Sequence, residues 1–263
     1  MESLGEKNPR TTILEVSGLR KEYGGKEVLR GSTFDVYEGE FLSILGPSGC
    51  GKTTTLRLLI GLEAPSAGTI RSQGRDIANL APSGRGMGIV FQDYALFENL
   101  SVLENVTYPL RFKPELKDRR REVALDLLGR VGLADQADKR IGQLSGGQKQ
   151  RVSIARTLAL NPKVILFDEP MSALDVETRL ALRDDLKHIQ RTFGTTMVYI
   201  THDQEEAFAL SDRVMVMGEG VIHQVGTPEE LLRSPADDFV RAFVVDNLAK
   251  KLGSLARFMD LVR

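Results

Sequence analysis

The run Gly46-Pro-Ser-Gly-Cys-Gly-Lys-Thr53 constrains this chain more than any other stretch. It stands between an apolar run, Phe41 to Leu45, and a helix-like run, Thr54 to Leu62. A strand, a glycine-rich loop and a helix in that order form a phosphate cradle. Glycines bring backbone N–H groups close to phosphate oxygens with no Cβ in the way. Those groups open a helix, where unpaired donors and the positive end of the dipole favour an anion. In this pattern Lys52 reaches the outer phosphates and the Thr53 hydroxyl holds Mg²⁺. Gly46, Pro47, Ser48, Gly49, Cys50, Gly51 and Thr54 complete the expected cradle. The bland alternative is a turn capping an ordinary helix.

Farther along, Val164 to Phe167 is apolar without alternation, as a parallel strand buried on both faces is, and it ends in Asp168-Glu169-Pro170. Two carboxylates at the end of a buried strand are costly unless a metal or a reaction uses them. Asp168 is expected to hold Mg²⁺ through water, and Glu169 to orient or deprotonate an attacking water. A solvated strand end is the competing reading. Met197 to Ile200 is a second buried strand with His202 just beyond it, where a γ-phosphate contact would lie. Gln92 ends the strand-like run Gly86 to Phe91 and could offer an amide oxygen to Mg²⁺ or water. Tyr23 precedes the turn Gly24-Gly25 and could stack on a base. Taken singly, a structural histidine, a surface glutamine and a core tyrosine are the commoner cases.

Leu144-Ser-Gly-Gly-Gln148 leads into the helix-like run Lys149 to Leu158. Ser145 is a good N-cap, and Gly146 and Gly147 leave the first amides uncovered, so a second anion site is expected here. A plain cap has no need of two glycines.

Around these motifs the chain divides by texture. Thr12 to Val16 alternates and, with Phe34 to Val36, predicts an antiparallel sheet leading into the phosphate strand. From Tyr94 to Leu160 the periodicity turns helical, with a Ser101/Glu104 capping box and prolines at 109 and 114, as an inserted helical subdomain would show. Val214 to Met217 and Val221 to Gln224 predict a closing hairpin, followed by a short helix, Pro228 to Arg233. Leu248, Leu252, Leu255, Met259 and Val262 mark an amphipathic helix expected to dock on its own core, with packing against a second copy or a partner as the alternatives.

The 263 residues carry a formal charge of −1, which gives a nucleic-acid backbone no excess of cations to meet. The one cysteine, Cys50, excludes a disulfide framework and fits a reducing cytosol. No apolar run approaches the ~20 residues that cross a bilayer, and the first ten residues lack the apolar core of a signal peptide.

Assembled, these residues resemble the ATP-binding subunits of ABC transporters over about residues 12 to 240. Gly46 to Thr53 is similar to that family's Walker A, Gln92 to its Q-loop, Leu144 to Gln148 to its signature, and Val164 to Glu169 to its Walker B with catalytic glutamate. Ser172 to Asp175 resembles the D-loop, His202 the switch histidine and Tyr23 the aromatic that stacks on adenine. The resemblance implies an α/β fold: a RecA-like P-loop NTPase core with a mostly parallel sheet, an antiparallel β subdomain, and an inserted α-helical subdomain at about 94–160. Residues 241–263 would form a short tail.

It further implies ATP and Mg²⁺ as cofactors, with Lys52, Glu169 and His202 catalytic and Thr53, Gln92 and Asp168 at the metal. Two chains would dimerise head to tail, Ser145 to Gln148 of one closing over ATP on the other. Transmembrane permease subunits would be gripped by Tyr94 to Tyr108, with a solute-binding protein acting indirectly, at the cytoplasmic face of the inner membrane. Within the family the motifs look most like the polyamine, ferric-iron, phosphonate and glycine-betaine importers. The chain ends at Arg263, before the regulatory domain many of those add, so control by such a domain is not expected. A soluble ATPase acting on nucleic acid, or an exporter subunit, is the alternative.

Overall fold

The computed structural model describes residues 10–259. The chain opens with a hairpin, β1 (Thr12–Tyr23) and β2 (Lys26–Tyr37), turning at Gly24-Gly25. Both strands are longer than alternation predicts. The register slips between Val16 and Leu19, where Gly18 takes φ +59° and its N–H bonds to Thr33 Oγ1 at 2.9 Å. A bulge of this kind shifts the period-2 pattern and hides the second half of a strand from a periodicity argument. With β4 (Ala67–Ser72) and β5 (Arg75–Asp76) the hairpin makes a four-stranded antiparallel sheet in the order β2-β1-β4-β5.

The larger sheet has six strands. β3 (Phe41–Leu45), β6 (Met87–Val90), β7 (Val164–Asp168), β8 (Thr196–Thr201) and β9 (Arg213–Gly218) are parallel, and β10 (Val221–Gly226) closes one edge antiparallel, giving the order β10-β9-β3-β8-β7-β6. Alternate residues feed opposite faces. Phe41, Ile165, Phe167, Met197 and Tyr199 join one hydrophobic cluster, whereas Leu42, Ile44, Leu166, Val198 and Ile200 join another. Burial on both faces is what the unbroken apolar runs predicted.

Helices cover both faces. α1 (Lys52–Ile60) packs between the sheets through Leu56, Leu58 and Leu59. α2 (Val102–Thr107), α3 (Arg120–Arg130) and α4 (Gly146–Leu158) form the helical region, with the Ser101/Glu104 capping box in place. Leu103, Leu128 and Val152 share one cluster with Ile165 and Phe167 of the sheet, so this region is continuous with the core. α5 (Val176–Phe193) and α6 (Gln204–Leu210) follow β7 and β8.

The C-terminal part runs through α7 (Pro228–Arg233), α8 (Asp238–Val240), a π-helical stretch Arg241–Asp246 and α9 (Asn247–Met259). Packing does not stop at the expected boundary after residue 240. Val244 is buried beside Val240, Leu45 and Val216. α9 forms as its periodicity predicts, but Leu252 is 61% exposed, so docking is carried by the π-helical stretch before it. Val262 lies outside the described residues, as do the side chains of Leu255 and Met259.

Candidate functional site

Parallel pairing sets three strand ends side by side. Leu45 pairs with Thr201, and Asp168 with Ile200, so the loop after β3, the acidic pair after β7 and the histidine after β8 emerge at one edge. The carboxyl edge is where open α/β sheets bind ligands.

The glycine-rich loop turns between β3 and α1. Gly51 precedes α1 at φ +105°, and a Cβ there would come within 2.6 Å of Leu29 Cδ2. No side chain caps this helix start, so its first N–H groups remain available to an anion. Pro47, Ser48 and Gly49 form the exposed tip, Gly46, Cys50, Gly51 and Lys52 are buried, and Thr53 and Thr54 are half-buried. The Lys52 ammonium donates to Gly46 O at 2.7 Å and Pro47 O at 3.0 Å, which holds it inside the loop. The β9–β10 turn braces the loop from below, Gly220 N–H donating to Cys50 O at 3.2 Å.

Thr53 Oγ1 lies 3.3 Å from Asp168 Oδ1. Burial pushes the Asp168 carboxyl above its usual range, opposed by that hydroxyl and reinforced by the neighbouring Glu169. A hydroxyl and a carboxylate are hard oxygen donors suited to Mg²⁺. Among the described residues no cluster of three His, Cys, Asp or Glu side chains could cage a metal. A cation at Thr53 and Asp168 therefore needs phosphate and water oxygens for its remaining ligands, as Mg²⁺ at nucleotide sites does.

Beside this pair, Glu169 takes φ +44°, a left-handed conformation that costs a non-glycine residue about 1–3 kcal/mol. Its Oε2 lies 3.0 Å from His202 Nδ1, and its carbonyl accepts from Ser172 Oγ at 2.9 Å. Asp175 caps α5 by accepting from Thr178 N–H at 2.9 Å. The structure thus brings Lys52, Thr53, Asp168, Glu169 and His202 to one edge.

Tyr23, Gln92 and the run Ser145–Gln148 lie outside that group. Tyr23 ends β1 with its ring 43% exposed, its hydroxyl donating to Glu63 and the Lys21 ammonium 4.9 Å from the ring centroid. Burial and Glu63 both raise the Tyr23 hydroxyl above its usual range. Gln92 is exposed and, among the described residues, makes no hydrogen bond to Thr53 or Asp168. It opens a turn in which Tyr94 and Ala95 are left-handed, φ +64° and +48°.

Ser145 caps α4 reciprocally with Gln148, at 3.0 and 3.4 Å, on an exposed surface. No hydrogen bond joins Ser145–Gln148 to the glycine-rich loop among the described residues. The paired glycines also have a local cause that the sequence did not reveal. A Cβ on Gly146 would meet Leu174 Cδ2 at 2.9 Å, and one on Gly147 would meet Thr178 Cγ2 at 2.6 Å. Uncovered amides are therefore not the only use of the pair.

Known proteins match this chain over most of its length. Residues 29–172 match the ABC transporter family. The spermidine/putrescine import ATP-binding protein PotA of Mesoplasma florum is 47% identical over 232 residues, 88% of this chain and 66% of that protein. The sulfate/thiosulfate import ATP-binding protein CysA 2 of Chromobacterium violaceum is 51% identical over 236 residues, 89% of this chain and 63% of that protein. The chain spans about two thirds of the length of these relatives. Among solved structures, CbiO1 of Clostridium perfringens, part of the ABC transporter complex CbiONQ, superposes with a TM-score of 0.80 at 31% identity, covering 96% of this chain and 99% of that one. A phosphate loop, an acidic strand end and a histidine at one sheet edge, with this match over most of the length, place the chain in the ABC transporter family.

Proposed function

We propose that this chain is the ATP-hydrolysing subunit that powers solute import through permease subunits, working as a head-to-tail dimer at the cytoplasmic face of the membrane. One observation carries the reading: the uncapped start of α1 with Lys52, the Thr53–Asp168 pair and the Glu169–His202 contact share one edge. Each part has a role in phosphoryl transfer. The α1 amides and Lys52 bind the phosphates, while Thr53 and Asp168 hold Mg²⁺, which neutralises charge on the phosphate oxygens when bound. Glu169 orients a water and accepts its proton, and His202 fixes the Glu169 carboxylate while offering its ring to the terminal phosphate. Tyr23 supplies an exposed ring for the base, and Gln92 would offer its amide oxygen to the metal or to water.

The second anion site, Ser145 to Gln148, reaches the surface at Ser145 and lies far along the chain from the first, which suits it to nucleotide held by a second copy. Permease partners have an apolar surface to meet. The Phe97 and Tyr108 rings lie 4.5 Å apart, Phe112 is 74% exposed, and no described helix is long and apolar enough to cross a membrane. Relatives of similar identity are named for import of polyamines and of inorganic anions, which supports assigning the choice of solute to the partner chains.

Lys52→Ala is expected to weaken ATP binding by ten- to a hundredfold, since a charge-assisted contact to phosphate is worth about 1.5–3 kcal/mol. Calorimetry with MgATP checks this, and unchanged affinity would remove the cradle reading. For the assembly, the tagged chain is expected to bring a multi-span permease with it from mildly solubilised membranes. Mass spectrometry reads the result, and recovery of soluble proteins or nucleic acid alone would overturn the transport role.

A further inference from the structure

Behind His202 lies a buried charge cluster that the roles above do not use. Glu206, on α6, is 7% exposed and accepts from Tyr199 Oη and Thr201 Oγ1, each at 2.8 Å. Burial and the Glu206 charge push the Tyr199 hydroxyl well above its usual range, which keeps it a donor. Thr201 Oγ1 in turn accepts from Asp203 N–H at 2.9 Å, and the Asp203 carboxylate caps α6 through Glu205 N–H at 2.7 Å. The two residues flanking His202 are therefore both fixed, and Glu206 is the anchor beneath them.

A carboxylate this buried requires a counter-charge. Arg179, one turn into α5, supplies it, with Nε 3.6 Å from Glu206 and Nη1 3.7 Å from Asp203. Among the described residues no other cation pairs with either carboxylate. The same guanidinium donates Nη2 to Leu174 O at 3.2 Å, inside the loop Ser172–Asp175. Between these groups lies a polar cleft of about 40 Å³, walled by Glu169, Arg179, His202 and Glu206 among others. That is room for water, and it suits the Nε–carboxylate spacing, which is too long for a direct hydrogen bond.

We propose that Arg179 and Glu206 are positioning residues that couple the loop Ser172–Asp175 to His202, so that a change in the loop sets the ring that steadies Glu169. The assignment to ATP turnover rests on the proposed function; the coupling itself rests only on this geometry. Arg179 is suited to the role because its rigid fork serves a carbonyl and two carboxylates at once, which a lysine cannot do. In the head-to-tail dimer the loop would face the partner, and Arg179 would then pass dimer closure to His202.

The first test needs no nucleotide. In Glu206→Gln, which keeps the side-chain shape and both hydroxyl partners, the backbone amide resonances of Leu174 and Asp175 are expected to move although they lie on another element. That response should vanish when Glu206→Gln is made in an Arg179→Met background. The His202 ring resonance should shift in Arg179→Met while that of His223, on β10, stays in place. Unmoved Leu174 and Asp175 amides in Glu206→Gln, or equal shifts with and without Arg179, would overturn the coupling.

The second test reads turnover. Arg179→Met should lower kcat on the order of 10- to 100-fold through misplacement at the reacting edge, with KM for MgATP unchanged. Arg179→Lys should recover part of it. A rise in KM matching the loss in kcat would show damage to the nucleotide site and overturn the positioning role. If the unmodified chain hydrolyses no ATP while the shifts propagate as expected, the coupling stands and the proposed function falls.

Discussion

Glu169→Gln is expected to cut ATP turnover on the order of 10²- to 10⁴-fold, the range a positioned general base contributes, while ATP-bound dimers accumulate. The substitution is nearly isosteric and removes only the capacity to take a proton. The backbone groups that hold this position survive it, because Glu169 N–H donates to Ile200 O at 3.2 Å and the carbonyl accepts from Ser172. Glutamine also preserves a polar contact to His202 Nδ1, now 3.0 Å from the carboxylate. The phosphate loop, Lys52 and the Thr53–Asp168 pair are untouched, so nucleotide should bind as before. Steady-state phosphate release and size-exclusion chromatography with MgATP check the two halves. Turnover equal to that of the unmodified chain would remove Glu169 from the chemistry. Lost turnover with no ATP-dependent dimer would instead place its role in closure.

The parts of the site that are legible in the sequence are those whose determinants are contiguous. Eight consecutive residues specify the phosphate loop, and Asp168-Glu169 follows directly on the strand that presents it. Apolar runs located the strands of the larger sheet, and Val164–Phe167 and Met197–Ile200 were legible as buried strands because burial on both faces leaves short unbroken apolar runs. Periodicity failed where the backbone departs from a regular period, at the Gly18 bulge in β1.

A different kind of information was hidden altogether. Arg179, Glu206 and Arg85 are three charged residues in a chain that is 27% charged, and nothing local separates them from solvated ones. What distinguishes them is partners remote in sequence, beside which Glu206 and Arg85 are buried and Arg179 half-buried. Leu174 and Thr178, which a Cβ on Gly146 or Gly147 would crowd, are equally remote. The chemistry was thus legible, whereas the supports that hold it in place became visible only in three dimensions.

Arg85→Met is expected to cost about 3–5 kcal/mol of stability, because it breaks a buried hydrogen-bond network and leaves several acceptors bare at roughly 1–3 kcal/mol each. Arg85 is 5% exposed and, among the described residues, forms no ion pair; burial draws its guanidinium below the usual arginine range, with Asp76 helping only at longer distance. Its partners are four carbonyls. Nη1 donates to Leu58 O at 2.6 Å and Leu59 O at 2.9 Å, Nη2 to Ala78 O at 2.7 Å, and Nε to Leu80 O at 2.8 Å. Leu58 and Leu59 belong to the last turn of α1, whose carbonyls have no partner within the helix. Arg85 therefore closes the far end of the helix that begins at the phosphate loop and ties it to the segment after β5. Gly61 is shaped to the same guanidinium, since a Cβ there would lie 2.4 Å from Nε. Methionine fills similar space but leaves these acceptors bare, and each unsatisfied buried group costs roughly 1–3 kcal/mol. Urea unfolding should show the loss as a lower midpoint at unchanged slope, and melting should fall by roughly 10 °C. A change within about 0.5 kcal/mol, the range of a surface substitution, would show that water or neighbouring groups satisfy the α1 terminus without Arg85. Arg85→Lys should fall between the two, because it retains the charge but offers its donors from one point rather than across a fork.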